Sequence, residues 1–519
     1  MSLRPPPFVL RFVARRLEAE QARLHADAER SQDALLRKIL RLARDTELGR
    51  MLGIADVRDS ADFAARIPAR TAKDFLSLWD RAARENPPGV VHPKKLEYVA
   101  LSGGTSGVDK LIPFPDEHFA TMRRFTNHAF FHAFHALDDY TLLSSNILVT
   151  SGPPIREVLP SGVTVGYGSG LASVKSPRFA RSVIRPTPEV LGIPGWQEKI
   201  AGMVDESLDL DIRALTGMPN AVVPLLEQLL ATARARGRKA EVATDVWPNL
   251  RLYAFSGSSL VPWESRIRAL LGERVHTFEV YSSSEAPIAF QHRIGEPGLL
   301  VDLSATYLEF EPVDGPKLPR KRIHEVEVGV TYDIVVTSFA GCIAYKLGDR
   351  VEFLSTDPYV LRFAGRDREE MNLVAEHLAL PGLRTALHDT AAEHGVRVHQ
   401  FFVCPSKPAD EGSVTYEWVV EFDGAEPADR GAFVASLDRR VADGSKSYAA
   451  ARRNDSSGME HCRRRRNLQD ARLRLRRCRW GGAHHDWNEY RLVVGRCHRG
   501  RGRHRGDLGL VVQRKRHRL

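Results

Sequence analysis

The chain lacks any apolar run approaching the roughly 18 residues of a membrane-spanning helix, so a transmembrane protein is not expected. It is poor in cysteine: five in 519 residues, none in a C-x-x-C pair, which fits neither a disulfide framework nor a zinc ribbon. The first 21 residues mix Arg with Glu and lack a small-residue cleavage site, arguing against a signal peptide and for a cytoplasmic protein. Residues 1–451 also lack basicity. They hold 54 Lys/Arg against 59 Asp/Glu, while residues 452–519 hold 21 against 6, so the formal charge of +10 comes entirely from the tail. A nucleic-acid partner is therefore not expected, except through that tail.

What is present is ordinary for a large globular protein: 43% hydrophobic and 27% charged residues, with length enough for two to four domains. Helical spacing runs from Phe8 to about Arg44 and again near Ala61–Arg84. Leu96–Leu101 reads as a strand entering the loop Ser102-Gly103-Gly104-Thr105-Ser106-Gly107. Several strands are expected between Tyr140 and Val165, and helices over 187–235, broken at Gly217-Met218-Pro219. Strands follow at Leu250–Phe255, Val275–Val280 and through 299–363, including the β-branched run Tyr332–Ser338. This alternation indicates an α/β body. A hairpin at Val396–Cys404 and Val414–Phe422, with a helix near Arg430–Val441, suggests a small α+β domain over 367–451.

The tail is of another kind. It has 20 Arg against one Lys, Lys515, with six His, three Cys and two Trp, and no sustained periodicity. Neither a solvated disordered segment nor a packed one has that composition. It fits out-of-frame reading of a GC-rich gene better than a basic nucleic-acid-binding arm, which uses Lys freely.

Three motifs are chemically suggestive. In Ser102–Gly107, small residues let backbone N–H groups converge on an anion, and Lys110 follows within reach of a phosphate; the order is not that of a Walker A loop. Gly/Ser loops are also common turns. After a strand, Tyr281-Ser282-Ser283-Ser284-Glu285 combines an aromatic face for a base with a hard oxygen ligand for Mg²⁺, although Ser-then-Glu also caps helices. Tyr345-Lys346-Leu347-Gly348-Asp349 places a carboxylate where it can accept from a ribose diol, or forms a plain Gly-Asp hairpin turn.

The order and separation of these motifs, followed by Phe363-Ala364-Gly365-Arg366, resemble the adenylate-forming enzymes, and within them the GH3 family of acyl-acid amido synthetases in bacterial form. Asp45–Arg50, Lys110-Leu111-Ile112-Pro113 and Asn372–Glu376 extend the resemblance, which covers about residues 8–451. It implies an α/β fold: a large N-terminal adenylate-forming domain (1–363) with β-sheets flanked by helices, a hinge (364–367), a smaller α+β C-terminal lid (368–451) and the anomalous tail (452–519). It implies a two-step ligase that uses ATP and Mg²⁺ to join a small-molecule carboxylic acid to an amino acid. By the same resemblance Ser102, Thr105, Ser106 and Gly107 cradle phosphates with Lys110, and Tyr281, Ser283 and Ser284 line the nucleotide site. Glu285 holds Mg²⁺, Asp349 takes the ribose hydroxyls, Arg366 marks the hinge, and Tyr167 and Gly168 contact the acyl substrate. An acyl-coenzyme A ligase and an inactive nucleotide-binding relic are the alternatives.

The sequence departs from the family pattern at Gly103 and Ser282, at Lys346 in place of an arginine, and at Ala375-Glu376-His377. The family's late lid lysine is matched only partially by Lys515 within Gln513–Arg518. Other clusters are set aside. Gly166–Gly170 is set aside as a phosphate loop, since no helix signal follows it, in favour of the substrate contact above, and His128, His132 and His135 share a helix face interleaved with Phe. His484-His485-Asp486 lies in the tail.

Overall fold

The computed structural model describes residues 6–102, 110–142, 145–175, 178–193, 195–258, 260, 263–314, 319–366, 370–371, 378–406, 415–422, 425–445, 448–449, 490–496 and 508–514. The first helical stretch is two helices, Pro7–Ala26 and Ala28–Ala43, separated where Asp27 leaves helical geometry (φ −133°, ψ 59°). The second buries Leu35, Leu36, Ile39 and Ala43 at helical spacing, one stripe against the core. The expected helix over 61–84 likewise divides into Ser60–Arg66 and Ala72–Arg84. Thr71 and Asp74 form a capping box that starts the latter, and Phe75, Leu78, Trp79, Ala82 and Ala83 are its buried face.

Two sheets organise the body. The smaller has four strands in the order Lys110–Pro113, Tyr98–Ser102, Thr164–Tyr167, Glu157–Val158. The larger has twelve and changes character halfway. From Lys321–Arg322 through Tyr307–Pro312, Thr331–Ser338, Cys342–Thr356, Tyr359–Arg366, Leu299–Val301 and Pro287–Gln291 to His276–Ser282, neighbours are antiparallel. From His276–Ser282 onward, Leu252–Phe255, Ile212–Gly217, Asn146–Thr150 and Ile184–Arg185 are parallel. The helices Trp196–Ser207, Pro219–Ala235 and Glu264–Leu271 contribute to the apolar cluster around Trp247, Leu215 and Tyr253. A mixed α/β body results, as the alternation of the sequence implies.

Some sequence expectations need correction. Ile212–Gly217, read within a helical stretch, is a central strand; a short apolar run does not distinguish a fully buried strand from a helix turn. Tyr345–Asp349 is not a hairpin turn but lies inside the 15-residue strand Cys342–Thr356. A helix, Gly168–Val174, does begin within Gly166–Gly170. The hairpin Val398–Ser406/Thr415–Phe422 and the helices Leu380–Glu393 and Arg430–Gly444 share their own core around Leu387, Trp418, Phe433 and Leu437. In the tail, Tyr490–Arg496 and Leu508–Arg514 pair antiparallel, a regularity its composition does not announce.

The helical layer is bolted to the sheet by Arg320, 1% exposed. Its Nη2 lies 3.0 Å from Glu309 Oε2 on Tyr307–Pro312, and its guanidinium donates to the carbonyls of Ile67 and Phe63 at the end of the helix Ser60–Arg66. Burial pushes the Glu309 carboxyl up to about 7, against the pull of Arg320. Truncation of one partner would leave the other buried without its counter-charge. Arg320→Ala is expected to lower unfolding free energy by about 3–5 kcal/mol in a urea titration; a loss within experimental error would show that the pair does not fix this contact.

Candidate functional site

The parallel strands of the large sheet end on the same side, and four of the five run into loops with small residues: Ser151-Gly152 after Asn146–Thr150, Gly217 at the end of Ile212–Gly217, Ser256-Gly257-Ser258 after Leu252–Phe255, and Ser282-Ser283-Ser284 at the end of His276–Ser282. Carboxyl ends of parallel strands are where ligands enter open α/β sheets. The glycines are there because the loops nearly touch. A Cβ on Gly217 (φ +152°) would lie 1.6 Å from Thr150 Oγ1. One on Gly152 would meet the Tyr167 ring at 2.7 Å, and one on Gly168 would stand 2.8 Å from Ser284 Oγ. The proposed acyl-substrate pair Tyr167-Gly168 therefore sits against the Tyr281–Glu285 motif. Sequence reasoning missed the Ser256–Ser258 loop, whose Ser258 Oγ is buried without a hydrogen-bond partner among the described residues. Its signal was available: a strand running into Ser-Gly-Ser, as at the other motifs.

At the centre is an ion pair closed off from water. Lys110, on Lys110–Pro113, and Glu285 are 7% and 3% exposed, and Lys110 Nζ lies 2.6 Å from Glu285 Oε1. Lys110 also donates to the Tyr345 hydroxyl at 3.2 Å, and that hydroxyl lies 3.4 Å from the same carboxylate oxygen. Tyr345 is wedged between the edge of Phe75 (5.6 Å) and Trp79 (5.8 Å), so the helix Ala72–Arg84 sets the phenol's position. Burial works against the charge on Lys110, but Glu285 and Tyr345 carry it above its ordinary value. Burial likewise opposes the Glu285 carboxylate, and Lys110 holds it below the usual range. The turn around Glu285 is bonded on both faces: Ser338 Oγ donates to Glu285 O at 2.6 Å, and His118 Nε2 lies 3.1 Å from Ser284 O. Burial pushes His118 down to about 4, so its ring is neutral near pH 7. Neither His118 nor Ser338 stands in a recognisable motif.

A second cluster joins the other motifs. Tyr281 donates its hydroxyl to Asp349 Oδ2 at 2.8 Å, and Arg366 Nε lies 2.9 Å from Asp349 Oδ1. Asp349 and Arg366 face each other across the strands Cys342–Thr356 and Tyr359–Arg366. Burial pushes the Asp349 carboxyl up, and Arg366 draws it back. Phe363 packs against Tyr281 at 6.2 Å, nearly perpendicular, and is 46% exposed. Asp349 and Tyr345 share one strand, so the two clusters are rigidly linked. Lys346, where the family has arginine, turns instead to Glu311 at 2.8 Å.

Ser102 ends its strand directly opposite Lys110, so the Gly/Ser/Thr loop is anchored at both ends. Gly103, Thr105, Ser106 and Gly107 themselves lie outside the described residues, as do Lys515, Ala375–His377 and His484–Asp486. The expected packed helix is found at Asp116–Ala136: His128 Nδ1 lies 2.7 Å from Asp302, His132 Nδ1 2.7 Å from Glu18 and His135 Nδ1 2.7 Å from the Tyr140 hydroxyl. Among the described residues no group of three His, Cys, Asp or Glu side chains could hold a metal ion. Glu285 alone fits Mg²⁺ in one form, as a single carboxylate completing a coordination sphere supplied mostly by phosphate oxygens and water. The Lys110 ammonium against it marks the carboxylate as a site for positive charge.

Losing either member of the buried pair should cost more than losing both. Lys110→Met or Glu285→Gln is expected to destabilise by about 3–5 kcal/mol, and the double variant by less than either, which is a coupling of at least about 3 kcal/mol in a double-mutant cycle by urea unfolding. Because the Glu285 carboxyl is held below its ordinary 4.5, the pair's contribution is complete above that pH and lost on acidification through the lowered value. Additive single variants with unchanged acid sensitivity would contradict the pairing.

Comparison with known proteins comes to the same place. The family model described as "GH3 family N-terminal domain" matches residues 18–201, and "GH3 family central domain" matches residues 299–366. Tyr281–Glu285 lies between the two matches. The chain is 25% identical over 390 residues to jasmonoyl–L-amino acid synthetase JAR4 of Nicotiana attenuata, covering 63% of this chain and 67% of that one. It is 24% identical over 410 residues to probable indole-3-acetic acid-amido synthetase GH3.12 of Oryza sativa subsp. japonica, with the same coverage. Among solved structures, AtGH3.15 acyl acid amido synthetase in complex with 2,4-DB superposes with a TM-score of 0.59 at 17% identity, covering 88% of this chain and 89% of that one. A 2-hydroxyisobutyryl-CoA ligase reaches 0.53 at 16% identity, with 80% and 84% covered. These two structural likenesses are likenesses of fold. The two GH3 family models thus match the segment that carries the phosphate loop and the segment that carries Asp349 and Arg366, 184 and 68 residues, together 252 of the 519.

Proposed function

We propose that this chain is an ATP-dependent acyl-acid amido synthetase: it activates a small carboxylic acid as an acyl-adenylate and transfers the acyl group to the amine of an amino acid. The observation that carries the reading is the linkage of Lys110, Glu285 and Tyr345 to Tyr281, Asp349 and Arg366 through one strand, beside Tyr167-Gly168. A buried cation and carboxylate next to a ribose-competent carboxylate suit a nucleotide triphosphate with its counter-ion.

In the first step a carboxylate oxygen attacks the α-phosphorus of ATP, the bond to the β-phosphate oxygen breaks and pyrophosphate leaves. Both partners are anions, so approach requires charge neutralisation and fixed geometry. Lys110 supplies a preorganised positive charge, and the loop between Ser102 and Lys110 supplies N–H and hydroxyl donors. Asp349 accepts from the ribose hydroxyls, Arg366 keeps it oriented, and Tyr281 and Phe363 offer flat faces to the base. Glu285 would hold Mg²⁺ carried with the triphosphate, which would supply further neutralisation of the phosphate oxygens. In the second step the amine nitrogen attacks the activated carbonyl, an amine proton is lost and AMP departs. The unit over 368–451 acts as a lid hinged at 364–367, with Lys515 as a candidate for the lid lysine. The reading places the enzyme in the cytoplasm, working on small molecules without a membrane.

The fold likeness to a CoA ligase favours a second reading, transfer to a thiol. The two separate on one assay: protein, ATP, a panel of acids, and either amino acids or coenzyme A. Acid-dependent pyrophosphate release with amide formation is expected; turnover that needs thiol and ignores amines would overturn the amide reading, and ATP binding without pyrophosphate would indicate an inactive relic. Asp349→Ala is expected to weaken ATP binding roughly 10–100-fold by calorimetry, as loss of about 1.5–3 kcal/mol of hydrogen bonding to a charged group. Unchanged affinity would remove the ribose assignment.

A further inference from the structure

The turn carrying Glu285 has three carbonyl anchors. Ala286 O accepts from Ser283 N at 2.9 Å, Glu285 O accepts from Ser338 Oγ at 2.6 Å, and Ser284 O faces His118 Nε2 at 3.1 Å. His118 is fully buried in the first turn of Asp116–Ala136, edge-on to Phe114 at 4.5 Å and 86°. A carbonyl only accepts, so the ring proton is on Nε2. Nδ1 is then a bare lone pair, buried with no hydrogen-bond partner among the described residues. An apolar ring of the same size would fill the space without leaving a buried nitrogen unsatisfied, so packing alone does not account for a histidine here. What the histidine adds is the one bond to Ser284 O. On the opposite side, Ser284 Oγ stands only 2.8 Å from where a Gly168 Cβ would be, so any drift of this peptide is felt at the substrate loop as well as at Glu285.

We infer that His118 is a positioning residue: its Nε2–H fixes the Ser284–Glu285 peptide and thereby aims the Glu285 carboxylate. The inference rests on the amido synthetase reading for what Glu285 is aimed at, but the bond itself is testable without it. His118→Gln keeps an N–H donor of similar reach, and His118→Phe keeps the ring and its contact with Phe114 but has no donor. Acid-dependent ATP–pyrophosphate exchange in the Phe variant is expected to fall by roughly 10–100-fold, with a raised Mg²⁺ concentration for half-maximal rate, while the Gln variant recovers most of the rate. Melting curves confirm that both variants are folded. Wild-type rate and Mg²⁺ dependence in the Phe variant would overturn the inference. So would a drop equal in both variants with unaltered Mg²⁺ dependence, which is the mark of packing alone. Failure of the broader reading looks different, as absence of exchange in the wild type. Nitrogen-15 histidine spectra of the whole chain, assigned by the Gln variant, then decide: a protonated Nε2 and bare Nδ1 are expected, and the opposite tautomer would overturn the bond.

Discussion

A lysine and a glutamate removed from water together, Lys110 and Glu285, hold this site in one piece. They come from different sheets: Lys110 from an edge strand of the four-stranded sheet, Glu285 from a turn between two strands of the twelve-stranded one. Neither charge is tolerable there alone, so each fixes the place of the other, and with it the spacing between the sheets. Tyr345 extends the contact to the long strand Cys342–Thr356, which brings Asp349 and Arg366 into alignment. The rest of the site hangs on that frame.

The same pair gives the site its electrostatic logic. Without a ligand the lysine and glutamate neutralise each other, so burial does not leave a naked charge. On the proposed reading, an arriving triphosphate with its metal would offer each of them a new partner: phosphate oxygens for the ammonium, a divalent cation for the carboxylate. Charge that is already in place when the substrate arrives needs no reorganisation during the reaction. The surrounding contacts fit that role. Phe75 and Trp79 brace Tyr345, and Ser338 fixes the carbonyl of Glu285, while the apposed glycines let the loops approach without side chains between them.

Much of this was legible in the chain itself. Strand-into-small-residue patterns pointed to Tyr281–Glu285 and to Ser102–Gly107, of which Ser102 alone lies among the described residues, and the carboxylate after Gly348 pointed to Asp349. What was not legible came from contacts distant in sequence. Lys110 meets Glu285 across 175 positions, and nothing local announces that the two are partners. Ile212–Gly217 carries the same apolar density as a helix turn, so its place as a central strand depends on neighbours at Asn146–Thr150 and Leu252–Phe255. Tyr345–Asp349 looked like a turn because Gly-Asp is a turn dipeptide; Gly348 does adopt a positive φ (+89°), but within a strand that stays paired on both sides of it. His118 and Ser338 were invisible because a single side chain bonded to a distant backbone carbonyl leaves no pattern.

The central claim is that these separated motifs form one receptor for an adenylate. It is tested most directly by a crystal structure of the chain bound to a non-hydrolysable acyl-adenylate analogue. The account predicts the ribose diol on Asp349, the base beside Tyr281, the phosphate against Lys110 and the acyl group reaching Tyr167-Gly168. An analogue bound elsewhere, with the Lys110–Glu285 pair untouched, would contradict it.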